Sequence, residues 1–218
     1  MVRTHALARF ALSSLAVSGL AVCSARADDL TPPSWRYDPD TTFQHWDFSS
    51  GSAGGAPDGA AFNNSNGTPI LTPDDPNNWL PTFGPRNDVW AVNDFDVLTF
   101  NVPNCNDAGS QKELWLQVTF LSAAVLHMGK SLTSPSGNFT LVSTQQTLLA
   151  DGWIHELSIW TLPSCPAYEE LVLTPPVPGT VVFLDQVVID TRCTVPGPGV
   201  AALLPCVLGM LGRRARRR

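Results

Sequence analysis

The sequence predicts an all-β domain, an antiparallel β-sandwich with a jelly-roll-like arrangement, between two targeting segments. Short runs of residues alternate between apolar and polar side chains, which is the period of a half-buried strand. Proline, glycine, asparagine and aspartate separate these runs, and no stretch in the body has the period and caps of an amphipathic helix. We therefore expect a signal helix at 1–27, one domain at 28–193, and a tail with an apolar helix at 194–218.

The first 27 residues have the three parts of a secretory signal peptide. Arg3 and Arg9 supply the positive charge, and residues 10–22 supply the apolar core. Ala25 and Ala27 form an A-x-A cleavage site, so the mature chain is expected to begin at the next residue.

Seven runs in the body are predicted to be strands. The clearest alternation places Leu114, Leu116 and Val118 on one face and Trp115 and Gln117 on the other. The seven runs are 42–48, 95–102, 114–120, 139–149, 153–162, 171–173 and 180–190. Residues 175–179 lie between the last two runs and are expected to form the turn of a hairpin.

Residues 49–94 do not fit this pattern, because glycine, asparagine, aspartate and proline interrupt every apolar run. A loop of this length is uncommon in a compact domain. Trp79, Phe83 and Trp90 lie within it and should pack on the body. We expect a long surface excursion that contains one or two short strands.

Cysteine usage fits an oxidising compartment. Cys23 and Cys206 fall in the targeting segments, so the body keeps Cys105, Cys165 and Cys193. The expected hairpin would bring the ends of its strands together, which favours a Cys165–Cys193 disulfide, with Cys105–Cys165 as the alternative. A lipoprotein signal at Cys23 is less favoured, because the preceding valine is large where a small residue is usual.

The charge of the body is strongly negative. Of the 13 basic residues, three lie in 1–27 and five in 194–218, whereas all 19 acidic residues lie between these segments. The body therefore carries a net charge of −14. This balance argues against a nucleic-acid partner, which requires a basic surface, and suits a soluble protein that repels its own copies.

The acidic loops offer oxygen ligands for a structural Ca²⁺. The candidate segments are Asp74-Asp75, Asp88, 93–96 and 104–107. None has the spacing of an EF-hand loop, and aspartate and asparagine also favour turns without a metal. We assign no metal ligands and expect no other cofactor.

The sequence lacks the common catalytic signatures, including a Gly-x-Ser-x-Gly elbow, a His-Glu-x-x-His helix and a phosphate-binding glycine loop. β-Sandwich folds do host glycoside hydrolases, which need two carboxylates across one sugar bond. Glu113 and Glu156 lie on or beside predicted strands and are the candidate acid and base. Because glutamates on strands usually belong to a solvated face, a glycan hydrolase is kept as the alternative to a non-catalytic protein.

Tryptophan suggests a different function. The body contains all seven tryptophans, and an indole ring offers both an apolar face for a sugar and an N–H donor. The alternation predicts that Trp115 and Trp160 point away from the apolar residues of their own strands. They are the candidate carbohydrate-binding residues, and core packing is the competing interpretation.

The chain ends in a proline-punctuated stalk, an apolar segment and a basic cluster. The stalk contains Pro196, Gly197 and Pro198, and the apolar segment covers 200–212, which is shorter than the roughly 20 residues of a full membrane span. The basic cluster consists of Arg213, Arg214, Arg216, Arg217 and Arg218. Since arginine is retained on the cytoplasmic side of a membrane, this order indicates a sorting tail with a transient membrane anchor.

These three parts resemble the PEP-CTERM sorting domain of exopolysaccharide-producing Gram-negative bacteria. The family pattern is Pro-Glu-Pro, an apolar helix and a terminal arginine run; here Gly197 replaces the glutamate. The resemblance covers the tail alone. It implies processing by an exosortase-like membrane enzyme and a location at the cell surface or in a polysaccharide matrix. The expected function is that of a secreted, non-catalytic surface or matrix protein that binds an extracellular polysaccharide.

Overall fold

The computed structural model describes residues 28–58, 62–94, 96–107, 109–123 and 127–195. These residues form thirteen strands and one short 3₁₀ turn, Pro76–Asn78. The strands are β1 (Thr41–Trp46), β2 (Phe62–Asn63), β3 (Ile70–Pro73), β4 (Trp79–Phe83), β5 (Arg86–Val92), β6 (Leu98–Pro103), β7 (Gln111–Ser122), β8 (Gly129–Ser134), β9 (Gly137–Asn138), β10 (Thr140–Leu148), β11 (Ile154–Leu162), β12 (Tyr168–Thr174) and β13 (Val182–Thr194).

The strands form two antiparallel sheets. The first has the order β10-β11-β7-β13-β1-β2, and β5 also pairs with one end of β13 and carries β4 on its other edge. The second has the order β3-β6-β12-β8-β9. The predicted all-β class is confirmed. The signal peptide, most of the sorting tail and the helix expected in each lie outside the described residues.

A single hydrophobic core takes side chains from both sheets. In the first sheet the long central strands β7 and β13 are in register, with Leu116 opposite Ile189 and Val118 opposite Val187. Leu171 on β12 enters the same core from the second sheet. The alternation along each strand therefore buries one face of each sheet against the other.

The expectation for residues 49–94 was wrong in extent. This part of the chain contains four strands, β2 to β5, instead of one or two. Val89, Trp90 and Val92 on β5 are fully buried, and Trp90 pairs with Leu184 at the end of β13. The strands are short and turn residues separate them closely, so no apolar period is long enough to be recognised in the sequence.

The expected hairpin around residues 175–179 was also wrong. β12 belongs to the second sheet and β13 to the first, so this turn carries the chain from one sheet to the other. The strands that pair with β13, which are β7, β1 and β5, are all distant from it in sequence. The turn residues mark a change of direction but do not specify which strand becomes the neighbour.

The segment before β1 covers part of the outer face of the first sheet. Arg36 donates to both carboxylate oxygens of Asp190 at 2.5 and 2.7 Å. Trp35 packs edge-on against Trp115, with ring centroids 6.1 Å apart, and the backbone N–H of Thr31 donates to Gln117 at 2.9 Å. Polar residues on this face are therefore buried beneath the segment although they point away from the core.

Candidate functional site

A polar cluster lies at one end of the core, between the two sheets. Lys112 on β7 continues the row of Leu114 and Leu116 toward the strand's beginning, so its side chain enters the space between the sheets. Glu169 on β12 enters from the second sheet, two residues before the buried Leu171. The Nζ of Lys112 lies 3.4 Å from Oε1 of Glu169, and the two side chains are 0% and 1% exposed. The ion pair therefore spans the sheets inside the core.

Neighbouring side chains satisfy the remaining polar atoms of this pair. Lys112 Nζ donates to the hydroxyl of Thr191 at 2.7 Å, and that hydroxyl lies 2.7 Å from the hydroxyl of Thr42. Asn104 Nδ2 donates to Oε1 and Oε2 of Glu169 at 2.9 and 2.7 Å. The hydrogen bonds reduce the cost of burying charged groups.

Burial shifts both ionisable groups toward their neutral forms. It lowers the pKa of Lys112, and the charge and hydrogen bond of Glu169 act in the opposite direction. It raises the pKa of Glu169, against the opposing effects of Lys112 and Asn104. A buried amine of lowered pKa is a nucleophile, and a carboxyl of raised pKa can exchange a proton with it.

Three cysteines adjoin this cluster. Cys165 and Cys193 form a disulfide with Cα atoms 5.9 Å apart, and Cys105 is a free thiol. The Sγ of Cys105 lies 3.0 Å from that of Cys193 and 3.6 Å from that of Cys165. Burial raises the pKa of Cys105, while the charge of Lys112 lowers it in part.

The bonded pair is the one that we favoured from the sequence, but it forms for a different reason. Cys193 is on β13 in the first sheet, whereas Cys165 precedes β12 and pairs by an isolated bridge with Asp107. The disulfide therefore ties the last strand of the first sheet to the segment that enters the second sheet. No hairpin between its ends is involved.

Within the described residues, one group has the compactness of a metal site, and it consists of Cys105, Cys165 and Cys193. Three reduced thiolates could hold a soft divalent metal, but the disulfide occupies two of them. In two of the acidic segments considered for Ca²⁺, a carboxylate accepts a hydrogen bond from the backbone. Asp96 accepts from the backbone N–H of Asp75 at 2.8 Å, and Asp107 accepts from that of Gly109 at 2.9 Å.

The structure does not bring Glu113 and Glu156 together. Glu156 is opposite the core residue Val118, whereas Glu113 has the other parity on β7 and lies on the outer face of the sheet. Glu113 accepts from Arg192 at 2.6 Å. Because the two carboxylates lie on opposite faces of one sheet, they cannot flank a single glycosidic bond at the separation of roughly 5 to 9 Å that hydrolysis requires.

Glu156 belongs to a second buried ion pair. Its carboxylate contacts the amine of Lys130, which reaches across from β8 in the second sheet. It also accepts from Gln146 at 2.7 Å and lies 2.5 Å from Nδ1 of His127. Lys130 donates further to Ser158 at 2.8 Å, so this pair is held by polar neighbours as well.

Trp115 and Trp160 each lie on the opposite face of their strand from the apolar row considered in the sequence, but only Trp115 thereby points away from the core. Trp115 lies on the outer face, where it packs on Trp35 and donates to Glu113 at 2.7 Å. Trp160 lies opposite Leu114 and packs against the core. Their side chains are on opposite faces of the first sheet, so they do not form one platform for a sugar.

Sequence reasoning missed Lys112 and Glu169, although a signal for both was available, and it considered Asn104 only as part of a candidate Ca²⁺ segment. Lys112 and Glu169 each have the parity of the buried apolar residues on their strands. A charged residue in such a row either lies at an exposed end of the strand or belongs to a buried ion pair. Asn104 follows the end of β6 and gave no comparable signal.

No protein-family model matches the chain, and no match was found among the curated proteins. In the part of the chain that the structure describes, none of the helices is long and apolar enough to span a membrane.

Proposed function

We propose that this protein is a non-catalytic component of a bacterial cell surface or extracellular matrix, with a jelly-roll-like β-sandwich body. In this proposal the signal peptide is removed after Ala27, and an exosortase-like enzyme processes the tail at the Pro-Gly-Pro stalk. The membrane is a transient anchor. The observation that carries the proposal is the Cys165–Cys193 disulfide.

The disulfide supports export because such bonds persist in oxidising compartments and are rare in the bacterial cytoplasm. Its position also suits the proposed sorting. Two residues separate Cys193 from Pro196, so the bond joins the end of β13 to the second sheet immediately before the stalk. A force applied through an attached tail would then pass into both sheets.

The distribution of charge supports an exterior location without a nucleic-acid partner. All five basic side chains of 28–193 form ion pairs with carboxylates. Four of them are at most 7% exposed, and Arg192 is 33% exposed. The acidic residues are in large excess, so the solvent-facing surface is negative and copies of the protein repel one another.

The sorting part of the proposal is tested by a fusion of residues 194–218 to a neutral secreted reporter in a host that has an exosortase. We expect the fused reporter to change its distribution between membrane, cell surface and medium. A matched fusion with the five terminal arginines replaced by glutamine should lose that change. Identical distributions for the two fusions and the unfused reporter would exclude a sorting role.

The proposed partner is the extracellular polysaccharide of the host. The resemblance of the tail supports this partner, and we assign no binding residues to it. Affinity electrophoresis of the secreted protein through gels that contain the host polysaccharide should show retarded migration relative to gels without it. Unchanged migration on every polysaccharide tested would exclude the sugar-binding part of the proposal and leave a purely structural role.

A further inference from the structure

Three side chains of the buried cluster have the chemistry of an amide-forming reaction. They are the amine of Lys112, the carboxamide of Asn104 and the carboxyl group of Glu169. Oε1 of Glu169 lies 3.4 Å from the amine nitrogen and 2.9 Å from the carboxamide nitrogen. All three residues are buried, at 0%, 7% and 1% exposure. One carboxyl oxygen thus contacts both potential reactants in the absence of bulk water.

We propose that Lys112 and Asn104 form an intramolecular isopeptide bond, with Glu169 transferring the proton. The Nζ of Lys112 attacks Cγ of Asn104, so a bond forms between these atoms and the Cγ–Nδ2 bond breaks. The proton released by Nζ passes through the carboxyl group to Nδ2, which leaves as ammonia. No electrons are gained or lost overall, and the reaction needs no further reactant.

The environment suits the roles of the nucleophile and the proton carrier. An amine attacks only in its neutral form, and burial lowers the pKa of Lys112 toward that form. Burial raises the pKa of Glu169, so its carboxyl group can hold a proton between the two steps. Both oxygens of Glu169 accept from Nδ2 of Asn104, which places the acid beside the leaving group.

The carboxamide is oriented and polarised by the backbone. The N–H of Cys105 donates to Oδ1 of Asn104 at 3.0 Å. This contact fixes which atom of the carboxamide is the oxygen, and it stabilises the negative charge that develops on Oδ1 during attack. Reaction within one folded core also avoids the entropy cost of bringing two groups together. Exclusion of water protects the product from hydrolysis.

The bond would join the end of β6 to the beginning of β7. β6 is in the second sheet and β7 is in the first, so the crosslink would fix the crossing between the sheets beside the disulfide. This inference does not depend on export or sorting, because it concerns the folded core alone.

Peptide mapping of the folded full-length protein tests the inference. A protease that cleaves before aspartate cuts at Asp107, which lies between Asn104 and Lys112 in the sequence. After reduction and alkylation of the cysteines, we expect the two fragments to remain joined in a branched product. Its mass should be lower than the sum of the two fragment masses by one ammonia, about 17 Da, because Nδ2 of Asn104 leaves as ammonia when the covalent bond forms.

Two variants and a matched control complete the experiment. Glu169→Gln keeps the shape of the side chain but cannot carry the proton, and Lys112→Met removes the nucleophile; both should give separate fragments. Glu156→Gln alters the other cross-sheet pair and should still give the branched product. Separate, unmodified fragments from the folded wild-type protein would overturn the inference, whether or not the variants fold.

Discussion

Lys112 approaches Glu169 across the space between the sheets, with the lysine in the first sheet and the glutamate in the second. Lys130 and Glu156 make the same kind of contact in the opposite sense, since here the lysine is in the second sheet. Two oppositely directed pairs constrain how the sheets are aligned, because sliding either sheet would leave buried polar groups without partners. The core is therefore fixed by polar as well as apolar contacts.

The second pair gives a stability prediction. Lys130→Met should lower the free energy of unfolding by about 3 kcal/mol, because Glu156 would remain buried without its lysine partner. Combining it with Glu156→Gln should recover part of the loss, since the amide can still bond with Gln146. Urea unfolding of the three proteins measures both effects. A loss below about 1 kcal/mol for Lys130→Met alone would mean that the pair contributes as little as a surface one.

A close backbone contact gives a second prediction. Gly54 has a φ of +66°, and a Cβ atom there would lie 2.6 Å from the carbonyl oxygen of Leu71. Gly152 has a φ of +86° and open space at the same position. Gly152→Ala should cost about 1 to 2 kcal/mol for its backbone conformation alone. Gly54→Ala should cost clearly more, because the clash with the backbone of Leu71 on β3 adds to the cost of the backbone conformation. Equal losses in thermal unfolding would contradict the crowding at Gly54.

The third cysteine makes the disulfide replaceable. Cys165→Ala removes the bonded partner of Cys193, but Cys105 lies 3.0 Å away and should form a new disulfide when the protein folds in an oxidising compartment. The single variant should therefore keep most of its stability. Replacing Cys105 with alanine as well should lower the free energy of unfolding by about 3 kcal/mol. Disulfide mapping and denaturant unfolding distinguish this outcome from one in which Cys193 stays reduced in the single variant.

The titration of Asp190 predicts the direction in which the stability of the fold changes with pH. Burial raises its pKa from 3.8 to about 6, although the hydrogen bonds and charge of Arg36 oppose the shift. The folded chain binds this proton more tightly than the unfolded chain. The contribution of Asp190 to stability is thus fully present below about pH 4 and is lost as the pH rises through about 6.

Asp190→Asn should remove this dependence. Free energies of unfolding at several values between about pH 4 and 7 should show a smaller fall with rising pH in the variant than in the wild type. Parallel curves for the two proteins would mean that the folded state does not perturb this carboxyl. Thr147→Ala changes an exposed side chain that does not titrate; it is the control and should leave the slope unchanged.

The sequence alone was enough to predict the fold class, because the alternation of apolar and polar residues along a strand is a local pattern. Each of the seven predicted runs overlaps a strand, and the parity of Leu114 and Leu116 correctly identified the core face of β7. The same parity separates Glu113 from Glu156 only when the register between β7 and β11 is known. Register depends on which strands become neighbours, and a turn sequence such as 175–179 does not determine that.

The polar cluster could not be predicted from the sequence, for a related reason. Lys112 and Glu169 are far apart in the chain and belong to different sheets, so no local pattern joins them. Trp90 was likewise obscured, because the turns on either side of β5 hide its period. What can be learned from the sequence is that a charge in an apolar row, as at Lys112, needs a partner elsewhere.

Export and processing are tested most directly by mass spectrometry of the protein isolated from its own cells, with both termini and the state of the cysteines determined. We expect a chain recovered outside the cytoplasm that begins at Asp28, lacks the terminal arginine cluster and carries the Cys165–Cys193 disulfide. A cytoplasmic chain that retains residues 1–27 and the terminal arginines, with its cysteines reduced, would exclude both export and processing.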